Sequence, residues 1–495
     1  MTTRGAVRRR ILREVSTVIV TNNASALKRQ LMLEVAKSTL AGTLLGDVEH
    51  IPVRVRPRGK ESTRCCIWRD RAIIRYRLIA ILGGRIEDET DEVKPLSAYA
   101  REAFKRTGLE KPILTVLDES CTACIEANYF VTNACKGCLA RPCTMHCPAN
   151  AISIEGDTAK IMPDACTNCG KCQQVCPYHA IIYVPVPCQE ACPVDAIDKD
   201  SRGKIAIDFD RCIMCGKCVR ACPFTAVMDR SQMVDVLIRL GKAEMNALLA
   251  PAVAGQFDAE IEQISAAARK MGFTRVIEVA SGADEVAEHE SEEFRGRMAA
   301  GEPFMTTSCC YAYTETVRKH IPELERFVAK TGTPLAMAAA RARSEYPSAL
   351  NVFIGPCIAK KQEGMDNDDV DYVLTFEEFA TMLEAFGIVL EDVEGERADV
   401  EGGALGRGFP VTGGLYKAIS HRCSDLLGGQ TSRIETLDAK SLRLLKALPR
   451  MKNPPCRLME VMCCYRGCVG GPAVVAEEAV STKRVETLVG RSPVK

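Results

Sequence analysis

Two runs, "CTNCGKCQQVCP" (Cys166, Cys169, Cys172, Cys176) and "CIMCGKCVRACP" (Cys212, Cys215, Cys218, Cys222), place two residues between successive cysteines and end on a cysteine before proline. Gaps of that size let three thiolates converge on one iron-sulfide cubane, while the cysteine before proline leaves the turn and reaches a second cluster. Each run therefore needs a partner half. In "CKGCLARPCTMHCP", Cys135, Cys138 and Cys143 would take Cys176, and Cys147 would complete Cys166, Cys169 and Cys172. "CQEACP" supplies Cys192 for Cys212, Cys215 and Cys218, and leaves Cys188 with Cys222. Within the block, "CTAC" (Cys121, Cys124) remains to finish that site. The count closes, because 16 of the 26 cysteines lie between Cys121 and Cys222, as about four clusters require. Zinc also takes four thiolates and stays open for Cys121 and Cys124, whereas the third cysteine and the CP ending of the full runs suit iron-sulfur ligation.

The two runs resemble those of bacterial ferredoxins. So many thiols in a chain without evident export signals need metal or catalysis, because disulfides are disfavoured inside cells. Lys plus Arg (65) nearly cancel Asp plus Glu (64), which gives no field favouring nucleic acid or anionic membranes. The arginine-rich start lacks the apolar core and cleavage pattern of a secretory signal, and no apolar run reaches membrane-spanning length. The cytoplasm is the expected compartment, with no membrane insertion and no nucleic acid.

Three further motifs lack ferredoxin spacing: "TSCCYAY" (Thr307 to Tyr313), "GPCIAKKQE" (Gly355 to Glu363) and "EVMCCYRGCVGGP" (Glu460 to Pro472). They offer four dispersed thiolates, Cys310, Cys357, Cys464 and Cys468, enough for one more cubane held in a cleft between distant segments. In kind and order these motifs, with the ferredoxin-like block upstream, resemble the FeFe hydrogenases (iron-only hydrogenases), and the altered first motif and long cysteine-rich entry resemble their divergent group B type. That resemblance covers about residues 113–495. It implies an H-cluster, a 4Fe-4S cubane on Cys310, Cys357, Cys464 and Cys468, with Cys468 bridging to a diiron subsite carrying CO, cyanide and dithiolate ligands. It further implies that Cys309 is a proton-transfer thiol, that Lys360 hydrogen-bonds a cyanide with Glu363 as its partner, and that Pro251 and Phe409 face the cofactor.

Reversible oxidation of dihydrogen to protons and electrons follows, since splitting dihydrogen unevenly needs an electron-accepting metal beside a base, and a thiol can relay the proton. The implied partners are dihydrogen, protons, a ferredoxin-like electron carrier and dedicated maturation proteins. Glu292, then Glu288, in "DEVAEHESEEF" are the candidates for onward proton transfer, although so charged a helix also reads as a solvated face. The chain departs from familiar relatives at Tyr311, Tyr313, Gly355, Ala252 (for serine), Leu335 (for glutamine) and Ala329 (for a relay serine). A hydrogen-sensing regulatory hydrogenase and a hydrogenase-like assembly protein without the diiron site are the alternatives.

These residues must be positioned by an α/β and α+β multidomain chain. Residues 1–112 read as a helix-rich N-terminal domain with one alternating segment, "IPVRVRP", and with Cys65 and Cys66 as buried structural thiols. Residues 113–230 form the tandem ferredoxin-like block, organised by metal. Residues 231–495 alternate helical and strand-like stretches, as a two-lobed α/β catalytic domain would.

Overall fold

The structure, a computed structural model, describes residues 22–494 except 60, 61, 63, 64, 125–127 and 428–430. The arginine-rich start lies outside the described residues.

Helices α1 (Asn23–Leu40), α2 (Ile67–Ile81) and α3 (Leu96–Lys105) build the N-terminal region. Asn22 caps α1, its Oδ1 accepting from the Ala24 and Ser25 amides, both at 2.9 Å. "IPVRVRP" is not extended: Ile51–Val55 is a helical turn. Pro52 falls at its start, where a missing N–H costs nothing, and Ile51 and Val55, four apart, share a buried face. Cys65 is exposed and Cys66 half-buried, so the expectation of buried structural thiols fails there.

The N-terminal region has no core of its own. Leu31, Val35 and Leu78 share one hydrophobic cluster with Met233, Leu248 and Phe379. Ion pairs continue the seam: Lys28 to Glu377 and Arg29 to Glu384 (both 2.7 Å), and Arg106 to the fully buried Asp235 (2.5 Å). The compositional boundary near residue 112 is therefore not a boundary of the core.

The cysteine-rich block is built from short antiparallel pairs, Asn128–Val131 with Ile181–Val184, Ile152–Glu155 with Thr158–Ile161, and Ile197–Lys199 with Ile205–Ile207. Leu114–Val116 pairs with Val227–Asp229, so both ends of the block return to one place.

Beyond it run seven strands: β1 (Met245–Leu249), β2 (Arg275–Glu278), β3 (Met305–Thr306), β4 (Leu350–Gly355), β5 (Tyr372–Thr375), β6 (Thr431–Ile434) and β7 (Leu458–Val461). They form two parallel sheets, ordered β2-β1-β4-β5 and β3-β7-β6, one per lobe. Helices α4 (Ile261–Met271), α5 (Ala280–Ala299), α6 (Tyr311–His320), α7 (Pro334–Glu345), α8 (Ala359–Met365), α9 (Phe376–Phe386), α10 (Gly414–Leu427) and α11 (Glu478–Arg491) connect and cover them. In open parallel sheets, ligands bind beyond the carboxyl ends of the strands. All three C-terminal motifs lie there, after β3, β4 and β7.

A buried ion cluster pins the three regions together. Lys361, 1% exposed, bonds Asp229 at 2.6 Å and Glu378 at 3.1 Å, and Lys28 reaches Asp229 at 3.4 Å. Burial opposes the charge on Asp229, but Lys361 and Lys28 outweigh it and hold the carboxyl well below the usual range. Asp229→Ala is expected to lower stability by about 3 kcal/mol, because it strands buried ammonium groups; a reduced urea midpoint would show it.

Candidate functional site

Cys310 leaves β3 in an extended conformation (φ −100°, ψ 105°) and opens α6. Cys357 follows β4 and precedes α8, while Cys464 and Cys468 lie in the loop after β7. The four thiols are within electrostatic reach of one another: Cys357 feels Cys464, Cys468 and Cys310, and Cys468 feels Cys310 and Cys464. Burial, then the neighbouring sulfurs, pushes Cys310 and Cys357 upward and Cys468 to about 12. Cys464 moves the other way, held down first by a hydrogen bond from Cys463. Such a set resists ionisation unless a cationic centre compensates it, which is the chemistry of a thiolate-bound metal cluster. Among the described residues no group of three or more Cys, His, Asp or Glu is arranged for a single ion.

Beside this quartet is a cavity of about 70 Å³ with Cys309, Cys357 and Cys468 in its wall. Pro251, Ala252, Leu335, Phe353, Phe409 and Met462 make the rest largely apolar, and Lys360 is the one charged side chain lining it among the described residues. Ala252 and Leu335 thus leave wall positions without hydrogen-bonding capacity. Gly355 has a local explanation: a Cβ there would lie 2.5 Å from the Phe353 ring, and Phe353 supplies the bulk at this wall.

Lys360 Nζ donates to Glu363 Oε2 (2.5 Å) and to Thr333 Oγ1 (3.0 Å), and Thr333 donates to Glu363 Oε1. Burial opposes the ammonium, but Glu363 overcomes that and the pKa rises, so Lys360 presents a fixed positive charge to the cavity. Tyr311 and Tyr313 are not in the wall. Tyr311 donates to Asp366 (2.6 Å), and the buried Tyr313 donates to Thr306 (2.7 Å).

The upstream cysteines gather in sets. Cys143 feels the charge of Cys138 and Cys176; Cys172 that of Cys166 and Cys169; Cys218 that of Cys215, Cys212 and Cys192, and also of Cys188 from the neighbouring set; Cys188 that of Cys222 and Cys124. Each of the four cysteines before proline accepts a backbone N–H from four residues on: Ala151 to Cys147 (3.2 Å), Ala180 to Cys176 (3.4 Å), Ala196 to Cys192 (3.2 Å) and Ala226 to Cys222 (3.4 Å). The residue before each donor, Asn150, His179, Asp195 or Thr225, has positive φ, and that turns the amide toward sulfur. Amides aimed at sulfur favour the charged state of a cluster. His146 and His179 are exposed and outside these sets, and His146 Nδ1 is bonded to the Pro142 carbonyl (2.9 Å).

Residues 243–472 match the iron only hydrogenase large subunit, C-terminal domain, and residues 134–180 and 187–226 each match the 4Fe-4S dicluster domain. Iron hydrogenase 1 of Clostridium pasteurianum is 26% identical over 257 residues, 42% of this chain and 44% of that protein. The NADP-reducing hydrogenase subunit HndD of Solidesulfovibrio fructosivorans is 26% identical over 263 residues, with the same coverage of 42% and 44%. An uncharacterized ferredoxin of Methanocaldococcus jannaschii is 42% identical over 52 residues, 10% of this chain and 84% of that protein. This chain carries a domain of the iron-only hydrogenase family over residues 243–472. It spans about 44% of the length of the curated hydrogenases it matches first.

Within this hydrogenase-family domain the proton-handling expectation needs correction. Glu292 and Glu288 are exposed, on the solvent side of α5. The inner carboxylate is Glu290, 0% exposed, which accepts from the Ser308 amide (3.0 Å) and hydroxyl (2.9 Å). Its Oε2 is buried without a hydrogen-bond partner among the described residues. Helical periodicity explains the difference: Val286, Ala287 and Phe294 define the inner stripe of α5, and position 290 lies on it whereas 292 does not. Ser308 Oγ also lies 2.7 Å from the Thr331 carbonyl; its single proton goes there when Glu290 is protonated and donates in turn. Glu460, equally buried, accepts from the Gly413 (2.7 Å) and Tyr416 (2.8 Å) amides. Burial raises the Glu290 and Glu460 pKa values to about 7, and Cys309 is pushed well up by burial and then by these two carboxylates.

A raised carboxyl pKa gives the fold stability that is complete below the ordinary value of 4.5 and is lost as pH rises through about 7. Glu290→Gln is therefore expected to flatten the fall in urea midpoint between about pH 5 and about pH 8, by on the order of 1–3 kcal/mol.

Proposed function

We propose that this chain catalyses the reversible oxidation of dihydrogen to protons and electrons at an H-cluster. The observation that carries the reading is the facing of Cys310, Cys357, Cys464 and Cys468, from three strand ends, beside an apolar cavity whose one charged wall residue is Lys360. Those four cysteines would hold the cubane, with Cys468, which lines the cavity, also reaching the diiron subsite. When bound, that group supplies the electron-accepting metal that uneven splitting of dihydrogen requires.

The chain's own residues supply the rest. Lys360, kept charged by Glu363 and aligned by Thr333, offers a fixed donor to cofactor ligands without reorganisation. Pro251 and Phe409 close the wall against water. Cys309 holds a proton at Sγ on the cavity side. Glu290, which titrates near neutrality, is matched to exchange protons with it, and proton transfer is most efficient when the group's pKa lies near working pH. Glu293 extends the line outward: it accepts from Arg297 (2.6 Å) and from the Lys330 amide (2.9 Å), so its carboxylate remains fixed behind Glu290.

The upstream sets would hold four 4Fe-4S clusters, with Cys121 and Cys124 completing the set of Cys188 and Cys222, and would pass electrons to or from a ferredoxin-like carrier. Dedicated maturation proteins would insert the diiron subsite. We assign the chain to the divergent group B type and to the cytoplasm; no described helix is long and apolar enough to cross a membrane.

The test is anaerobic maturation with the diiron assembly machinery, infrared spectroscopy and a hydrogen assay. CO and cyanide bands with turnover are expected; absence of the bands sinks the reading, and bands with negligible turnover favour hydrogen sensing. Cys309→Ala should keep the bands and lose turnover by about 10²–10⁴-fold, the usual share of positioned proton transfer, and Glu290→Gln should lose about 10²-fold.

A further inference from the structure

The segment 51–77, which runs through most of α2, carries nine Arg or Lys against two acidic residues, in a chain whose net charge is +1. Its Trp68 is the chain's single tryptophan and is 61% exposed. Two guanidiniums lie over that ring, Arg71 at 5.3 Å and Arg58 at 5.8 Å from its centroid. Arg71 Nε is fixed by the Arg56 carbonyl (2.9 Å). Arg56 and Arg69 lie 3.9 Å from Asp70 and Glu119 respectively, whereas Arg58 and Arg71 have no carboxylate partner among the described residues. The patch adjoins one cysteine set. Further along α2, Arg77 Nη2 and Ser120 Oγ donate to the same Phe224 carbonyl, at 2.9 and 2.8 Å, and Cys121 directly follows Ser120 while Cys222 lies just before Phe224. Two lysines hold the same stretch: Lys199 Nζ donates to the Cys124 carbonyl (2.5 Å), and Lys204 Nζ to the carbonyls of Asp118 (2.6 Å) and Cys121.

We propose that Trp68, Arg58 and Arg71 form the docking surface for an acidic electron-carrier protein, which exchanges electrons at the set of Cys121, Cys124, Cys188 and Cys222. This rests on the reading that those cysteines ligate one cluster of the electron relay. Folding alone does not call for the stack, because a large apolar ring is ordinarily buried and a cation–π contact in open water contributes little. Tryptophan and arginine are, however, the residues that carry most of the energy of protein interfaces. The local surplus of positive charge selects an acidic partner and speeds its encounter, and salt screens both effects. Nucleic acid or an anionic membrane would feel the same attraction, but neither gains anything from lying beside a cysteine set; a redox protein does. One electron leaves the carrier's reduced centre as the cluster gains it, or the reverse, and no bond is made or broken.

The test measures binding of an acidic two-cluster bacterial ferredoxin to the full chain loaded with 4Fe-4S clusters, at low and at physiological salt, with iron per chain as the folding control. Wild type is expected to bind, more weakly as salt rises. Arg58→Glu with Arg71→Glu should raise Kd about tenfold or more at unchanged iron and remove most of the salt dependence. Trp68→Ala should raise Kd at both salt concentrations. Lys136→Glu with Lys171→Glu, the same charge change at exposed lysines beside Cys135 and Cys172, should leave Kd unchanged. Equal losses in the two double variants overturn the proposal, because net charge alone then explains them, and so does an unchanged Kd in Arg58→Glu with Arg71→Glu. Tighter retention of a DNA duplex or of phosphatidylserine vesicles than of the ferredoxin gives the patch to another class of partner and overturns it too. For the exchange point, Cys124→Ser with the iron of one cluster lost should bind as wild type but be reduced more slowly by dithionite-reduced ferredoxin in stopped flow; an unchanged rate overturns exchange at this set. Wild-type iron content in Cys124→Ser removes the ligation reading and the exchange point with it. Patch-dependent binding by a chain that shows no CO or cyanide bands after maturation removes the hydrogenase reading and leaves the docking surface standing.

Discussion

Four thiols that would each carry negative charge are held face to face by loops from three different strands, and their mutual repulsion is what the surrounding structure must withstand. Cys310, Cys357 and Cys468 all pay for proximity and burial with raised pKa values. Two parallel sheets solve the placement, because parallel strands deliver their carboxyl ends, and the loops that follow, to one crevice. Positive charge is then supplied where it is needed: Lys360 enters the cavity wall, and its ammonium is stabilised in turn by Glu363 and Thr333.

The same logic extends outward from the crevice. The ferredoxin-like block has a small core around Ala159, Ile161 and Ile181, and turns within it aim amides at sulfur. It is fixed to the hydrogenase domain by a shared buried cluster that joins Val194, Ile197 and Met214 to Phe304, Ile358 and Val461, and by bonds such as Arg220 to the Gly470 (3.1 Å) and Gly471 (3.2 Å) carbonyls. The N-terminal helices bury Leu31 and Leu78 in the core that also holds β1. They brace the lobe that supplies Pro251 and Cys357, and their removal would expose the core behind the site.

Chemistry that depends on short spacing was legible in the sequence. The two-residue gaps of the cysteine runs and the alternation of helix and strand after residue 231 are local patterns, and Lys360 and Glu363, three residues apart, do pair. What depended on tertiary burial was not. "IPVRVRP" alternates as a strand would, yet helical closure with Ile51 and Val55 on one buried face prevailed. Glu290 was within reach of the helical stripe Val286, Ala287 and Phe294, but charge density in "EHESEE" hid the one carboxylate that turns inward. The compensation of Gly355 by Phe353, two residues earlier, required knowing which ring turned toward which wall.

Adjacent residues with divided duties recur through the molecule. Cys310 faces the thiol quartet while Cys309 faces the cavity and the two neutral-titrating carboxylates. Cys464 belongs to the quartet while Cys463 is buried, its carbonyl held by Thr436 Oγ1 and the Leu437 amide. Lys360 enters the cavity wall while Lys361 turns away to the buried cluster of Asp229 and Glu378. The physical cause is that consecutive side chains diverge by about 180° in extended backbone and about 100° in a helix. A doublet therefore places two identical groups in two environments a few ångströms apart. Here that separates the cavity side of the quartet, at Cys309, from the face turned to the ferredoxin-like block, at Cys463, so that the proposed proton and electron paths would leave the quartet by different sides.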